Sequence, residues 1–388
     1  MKETVRYIQN RQKENGSPPG LIFLIPSLSG GGAEKVACNL LPHISKHFDV
    51  TLALLENRRI YTVPEKVRIK AFSGPLKTQS AHILRIPYHI YSLAWMVRKY
   101  KVRIVMSFME QANILNLLTA FITHHKTLIS QRIEPRRQYA NKGVLGRLIL
   151  KASLLLYPKA DQVEVVSKGI HNTLISDYGL DHRKLNVIPN PVNIDNLFHQ
   201  SKAPLPPNIP VKFLLHVGRM NLAHKGHDVL LEAFLLLRRK FTDLSLVFVG
   251  DGPDRNRIIN LIEKFDLKDA TILTGWQDNV ACFMAHAQVF VLSSRYEGWP
   301  NVLVEAMACG CPVVATDCDT GPREILGDDE HGLLVPVNDP ETMALKVEKF
   351  LFNTEMRKTY VARGLKRASH FQTEKIAAKY IAILRELL

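Results

Sequence analysis

No stretch of this 388-residue chain supplies the roughly 18 to 20 uninterrupted apolar residues that a membrane-spanning helix needs. Leu145 to Tyr157 is interrupted by Arg147 and Lys151, and Ile114 to Ile122 is too short. A spanning chain is therefore excluded. The five cysteines, Cys38, Cys282, Cys309, Cys311 and Cys318, are odd in number and form no C-x-x-C grid, which argues against a disulfide framework and a zinc site. A reducing cytoplasm is the expected compartment. Gly and Pro, 21 of each, stay well below a low-complexity content. The first twenty residues have no apolar centre, so they are expected to be a flexible polar tail and not a signal peptide. Acid is scarce in one half only. Residues 1–200 hold 28 Lys+Arg against 13 Asp+Glu, and residues 201–388 hold 23 against 23, so the whole net charge of +15 lies N-terminally. Such asymmetry predicts an anionic partner for that half, a membrane surface or a phosphorylated substrate. Nucleic acid is not expected, because no nucleic-acid motif or aromatic stacking platform is present.

What is present is a twice-repeated α/β rhythm. Apolar runs at Leu21–Pro26, Val50–Leu55, Val102–Phe108, Lys126–Ser130 and Gln162–Ser167 alternate with helical patterns, which predicts a parallel sheet covered on both faces. A proline-rich stretch from Pro191 to Pro210 interrupts the pattern, and it restarts at Phe213–Val217. Two doubly wound Rossmann-like domains facing a central cleft follow, with expected bounds of 21–200 and 201–372. A last helix over 373–388 returns to the first domain. Their ligand sites belong at the carboxyl ends of the strands, in the crevice.

Three segments sit where that crevice should be. Ser27-Leu28-Ser29-Gly30-Gly31-Gly32-Ala33-Glu34 lies between a strand and a helix, where free amides and the helix dipole attract phosphate. Lys35 stands where a dinucleotide fingerprint wants its third small residue, and no G-K-[ST] follows. With Glu56 at the end of the next strand, a nucleotide-dependent dehydrogenase or epimerase stays open for this loop taken alone, as does a plain packing turn. Arg219 and Lys225 flank a loop after the first strand of the second domain and suit a diphosphate neutralised by protein cations. A solvated turn is the plain alternative. In Glu297-Gly298-Trp299-Pro300-Asn301-Val302-Leu303-Val304-Glu305, Gly298 and Pro300 prevent one helix from carrying both acids. Glu297 falls in a loop and Glu305 in an early helical turn, with the amides near Asn301 aimed back at the crevice. Asp317-Cys318-Asp319 resembles a metal-binding D-x-D but reads as structural. Histidines such as His43, His47, His124 and His125 have no partner at ligand spacing.

Together these residues resemble the retaining glycosyltransferases of family 4, which have the GT-B fold. The resemblance spans residues 20–388 and rests on Gly31-Gly32-Ala33-Glu34, Gly218-Arg219 with Lys225-Gly226, Gly250-Asp251-Gly252, Glu297 with Glu305, and Gly321-Pro322-Arg323-Glu324. The nearest likeness is to bacterial enzymes that extend lipid-linked oligosaccharides or surface polysaccharides, N-acetylgalactosamine transferases of N-glycan assembly among them. The resemblance implies a UDP-sugar donor, a glycan acceptor carried on lipid, and no metal or other cofactor. Gly31, Gly32 and Gly250 would meet the donor phosphates, Arg219 and Lys225 would neutralise them, and Glu305 would hold the ribose. Gly275, Trp276 and Gln277 would line the base pocket. Glu297, with the backbone amides of the stretch Gly298, Trp299, Pro300, Asn301 and Val302, would meet the transferred sugar. A donor phosphate oxygen would act as base through an oxocarbenium-like state. Many relatives carry a His after the strand at Lys126–Ser130, whereas this chain has Gln131-Arg132-Ile133-Glu134, leaving Arg132 and Glu134 as acceptor-side candidates. A non-catalytic GT-B binding module remains the alternative in the same fold. The basic, apolar segments Leu84–Lys101 and Arg136–Lys159 would rest peripherally on the inner face of the plasma membrane, or else serve only as amphipathic helices that cover the sheet.

Overall fold

The computed structural model describes residues 18–72, 85–139 and 143–388. The expected N-terminal tail lies outside these residues except for its last three, of which Gly20 already opens the first strand. Seven parallel strands form the N-terminal sheet: β1 (Gly20–Ile25), β2 (Asp49–Leu54), β3 (Arg68–Ala71), β4 (Ile104–Phe108), β5 (Lys126–Gln131), β6 (Gln162–Val165) and β7 (Leu185–Val187), in the order β3-β2-β1-β4-β5-β6-β7. Six more form the second sheet: β8 (Phe213–Val217), β9 (Ser245–Val249), β10 (Thr271–Leu273), β11 (Val289–Leu292), β12 (Val313–Thr316) and β13 (Leu333–Val335), in the order β10-β9-β8-β11-β12-β13. All pairings within these ladders are parallel, as the alternation of strands and helices requires. Each sheet reverses its winding beside its first strand, between β1 and β4 and between β8 and β11, and there the crevices open.

Burial explains which strands the sequence announced. Leu21, Ile22, Phe23, Leu24 and Ile25 are fully inaccessible, because helices cover both faces of a parallel sheet. The strands without an apolar run are β3 and β7. Both lie at sheet edges, and in β3 the exposed Arg68 and Lys70 alternate with half-buried Ile69 and Ala71.

Helix Thr373–Glu386 crosses back to the first domain. Its Ile376, Ala377, Tyr380 and Leu384 join Val36, Leu40 and Phe108 in one cluster. The two domains meet across the cleft through specific polar contacts. Lys168 and Gly169, at the start of helix Lys168–Tyr178, donate backbone N–H groups to the Glu324 carboxylate at 2.7 and 3.1 Å. Asn190 Nδ2 donates to Asn301 Oδ1 at 2.7 Å. Gly298 lies so close to the Arg132 carbonyl that a Cβ would stand 1.9 Å from its oxygen.

Candidate active site

The site is assembled at the carboxyl ends of β8, β9 and β11, on loops that only glycine allows to pack. Gly250 (φ +131°) lies against the Gly218 carbonyl, where a Cβ would come within 2.1 Å. Gly226 (φ +61°) lies against the Ser293 carbonyl at the same 2.1 Å. These contacts lock the Gly218–Gly226 loop between the ends of β9 and β11.

Lys225 Nζ donates to Glu297 Oε1 at 2.6 Å, and Ser294 Oγ donates to the same oxygen at 2.6 Å. His224 Nε2 stands 3.9 Å from the other oxygen, Oε2, with its ring stacked on Tyr296 at 4.2 Å between centroids. Burial pushes the Glu297 carboxyl up, but Lys225, His224 and Ser294 outweigh it and hold it below the ordinary carboxylate value. Glu297 is thus an anion kept ionised in a dry setting. Arg219, earlier in the same loop, is exposed and makes no hydrogen bond or ion pair among the described residues. Its charge is available.

Glu305 lies in helix Asn301–Ala308 with only 8% of its side chain exposed, and Lys35 from the first domain donates to its Oε1 at 2.7 Å. Glu305 raises the pKa of Lys35, so the ion pair bridges the cleft. Opposite, helix Gly32–Ile44 begins at the glycine turn, and a Cβ on Gly32 would lie 3.6 Å from Asn301 Nδ2. Trp276 is 58% exposed and overhangs Gly30, its Cη2 within 3.5 Å of where a Cβ would stand. Gly250 N–H donates to the Gly275 carbonyl at 2.8 Å, and Gln277 Nε2 to the Thr274 carbonyl at 3.1 Å. Carboxylates, cations and an aromatic face therefore line one crevice between the domains.

Comparison with known proteins agrees with this architecture. Residues 30–196 match the family described as Glycosyltransferase Family 4, and residues 199–367 match Glycosyl transferases group 1. The chain is 32% identical over 358 residues, 92% of its length and 96% of the relative's, to N-acetylgalactosamine-N,N'-diacetylbacillosaminyl-diphospho-undecaprenol 4-alpha-N-acetylgalactosaminyltransferase of Campylobacter jejuni. The chain belongs to glycosyltransferase family 4. At 25% identity it also resembles the amylovoran biosynthesis glycosyltransferase AmsD of Erwinia amylovora, over 94% of this chain and 99% of that one. Among solved structures, Anabaena HepE in complex with UDP superposes with a TM-score of 0.78 at 18% identity, covering 95% of this chain and 100% of that one. Sucrose-phosphate synthase of Thermosynechococcus elongatus gives 0.80 at 21%, covering 95% and 99%. The fold is GT-B, and the protein is a glycosyltransferase.

Several of the anticipated residues have side chains engaged within the protein itself. Trp299 is 7% exposed and packs edge-on against Phe371 in the core, so its indole is turned away from the crevice. Val302 likewise packs against that core, and Pro300 is the buried N-cap of the helix. The Gly31 N–H donates to the Glu34 carboxylate, which also accepts from Ser27 and Ser29 at 3.1 and 3.3 Å, so a capping interaction already fills that part of the phosphate loop. Arg132 is only 9% exposed, lies 3.2 Å from Glu164, donates to the Tyr380 hydroxyl at 2.8 Å and to Asn190, and covers the Phe108 ring at 3.9 Å. It ties the C-terminal helix to the first domain. Glu134 accepts the N–H groups of Arg136 and Arg137 and starts helix Pro135–Tyr139. Glu56 lies beyond β2 and pairs with Arg58 at 3.4 Å. Asp317 and Asp319 each engage an arginine, Arg323 and Arg137.

Sequence reasoning took Lys35 only as a departure from the dinucleotide fingerprint and did not single out His224 or Glu110. Lys35 and His224 adjoin the glycine turn and Lys225, and that adjacency was the available signal. Glu110 follows Met109, whose φ of +75° marks strained backbone at the end of β4, and its carboxylate accepts from Gln131 and Tyr139 at 2.7 and 3.1 Å.

Proposed function

We propose that this glycosyltransferase moves a hexose or N-acetylhexosamine from a UDP-sugar to a hydroxyl of a lipid-linked glycan acceptor, with retention of configuration and without a metal, in bacterial glycan or polysaccharide biosynthesis. The carrying observation is the pairing of Lys225 with Glu297 at 2.6 Å, on a loop that also carries the exposed Arg219, which has no partner among the described residues. These are an anion for the sugar and cations for a diphosphate at one strand edge. The two guanidinium and ammonium charges supply the neutralisation that the departing nucleotide needs. Glu305, in helix Asn301–Ala308 and paired with Lys35 across the cleft, suits the ribose, and Trp276 with Gln277 suits the base. The relatives support the substrate class, since the Campylobacter enzyme's name specifies a diphospho-undecaprenol glycan and HepE was solved with UDP.

The acceptor's lipid calls for a membrane-facing surface, and the first domain offers one. Helices Ile86–Lys99, Glu110–Thr123 and Gly143–Leu156 pack side by side. They expose Tyr91, Trp95, Phe121, Leu148 and Leu155 among the exposed cations Arg98, Lys99, Arg147 and Lys151. Residues 84 and 140–142 of the expected basic segments lie outside the described residues.

A thermal-shift panel of UDP-, GDP- and ADP-sugars tests the donor, because ligand raises stability with the logarithm of its concentration over Kd. The UDP set is expected to give the largest shift. A larger shift with GDP- or ADP-sugars would refute the donor assignment.

A further inference from the structure

Glu297 and His224 face one another with nothing between them. Nε2 is inaccessible to solvent and has no hydrogen-bond partner, while Oε2 stands 3.9 Å away. Glu297 Oε1 is fully engaged by Lys225 and Ser294, and no hydrogen bond among the described residues reaches Oε2. At 3.9 Å the two atoms are too far apart for a hydrogen bond, whichever nitrogen of the neutral imidazole carries the hydrogen. A single proton would convert this gap into a charge-assisted hydrogen bond of about 2.8 Å.

Lys225 decides whether that proton is present. While its ammonium neutralises Glu297, a second cation on the same carboxylate is disfavoured. Once a donor diphosphate draws the ammonium toward the phosphates, Glu297 is left buried and anionic with Ser294 alone. We propose that His224 is a positioning residue that takes up one proton from solvent as the nucleotide binds, replaces Lys225 as the counter-charge of Glu297, and so holds the carboxylate on the sugar. This rests on the nucleotide-sugar reading of the site. The stack on Tyr296 fixes the ring for the purpose, and Arg295, which donates its backbone N–H to the His224 carbonyl at 2.8 Å, fixes the backbone.

The charged and titratable groups facing His224 are Lys225, Glu297, Tyr296 and His227. Burial and then Lys225 lower the His224 pKa in the unliganded protein, so departure of Lys225 raises it. A group whose pKa is raised by binding strengthens that binding as pH falls. UDP affinity should therefore rise on acidification through the interval between the two values, by up to about tenfold per pH unit.

The test is calorimetric titration of the full chain with UDP at pH 7 in buffers of differing ionisation enthalpy. The wild type is expected to take up a substantial fraction of one proton per UDP bound. In His224→Gln that uptake should vanish and the pH dependence of Kd should reduce to that of UDP itself. His224→Phe, which keeps the stack, should behave as the Gln variant does. Tight UDP binding by the wild type with no proton uptake would overturn the proposal and leave the nucleotide reading intact, whatever the variants do. Unchanged uptake in a folded variant would overturn it too, and absence of UDP binding by the wild type would overturn both readings.

Discussion

Glu297 and Glu305 are eight positions apart in the chain, yet they sit in different electrostatic settings, and kinetics should separate them. Glu297 is held ionised by Lys225 and Ser294 where the sugar would lie. Removing it in Glu297→Ala should lower kcat by about 10²–10³-fold with little change in nucleotide affinity, as loss of preorganised electrostatic stabilisation does. Glu305 meets Lys35 across the cleft. Glu305→Ala should instead raise the donor KM and weaken UDP binding. Steady-state kinetics beside UDP titration reads both, and equal losses in kcat for the two variants would contradict the division of roles. Both acids and both cations were legible in the sequence, because loop residues beside strand ends carry their chemistry in their spacing. Arg132 was not legible in this way. A guanidinium after a strand looks the same whether it enters the crevice or, as here, the interior beside Glu164 and Tyr380.

The loops are held by glycine contacts that leave no room for a methyl group. Gly298→Ala would drive a Cβ into the Arg132 carbonyl and should cost about 1–3 kcal/mol or part the domains. Urea unfolding would report the first, and a larger radius of gyration in solution scattering the second. A different element sets an acid limit. His125, after helix Glu110–Thr123, is buried between Asn116 Oδ1 at 2.8 Å and Thr123 Oγ1 at 2.6 Å. Burial lowers its pKa to about 4, from the ordinary 6.5. The unfolded chain then binds the proton first, so stability should fall as pH drops from 6.5 toward 4. His125→Gln should flatten that limb in denaturant titrations across the interval. Such a burial could not be read from sequence, where His125 showed only the absence of a partner at ligand spacing.

On the scale of the whole molecule, the basic excess of the first half and its exposed apolar helices predict binding to anionic membranes. In flotation, the protein should rise with vesicles containing anionic lipid and stay behind with neutral ones, and Trp95→Ala with Leu148→Ser should reduce recovery. Equal recovery from both vesicle types would remove the membrane from the picture. Screening also applies, so the bound fraction should fall with salt over a Debye length of about 8–10 Å. The two-domain plan itself followed from the repeated rhythm of apolar runs and helical patterns. Only the edge strands β3 and β7 escaped it, because β3 alternates exposed Arg68 and Lys70 with its apolar residues and β7 is only three residues long.

What the sequence determined by itself was local and periodic: buried strands as continuous apolar runs, glycine turns at their ends, and acids and cations placed beside them. These follow from chain geometry within about a dozen residues, and they sufficed for the fold class and for placing candidate residues at the strand ends. The tertiary structure alone decided which of those groups meet. Lys35 reaches Glu305 across 270 positions of sequence, Glu324 caps the helix that begins at Lys168, and Trp299 turns into the core beside Phe371. Such pairings are set by how two independently wound sheets close on each other, and no local pattern encodes that closure.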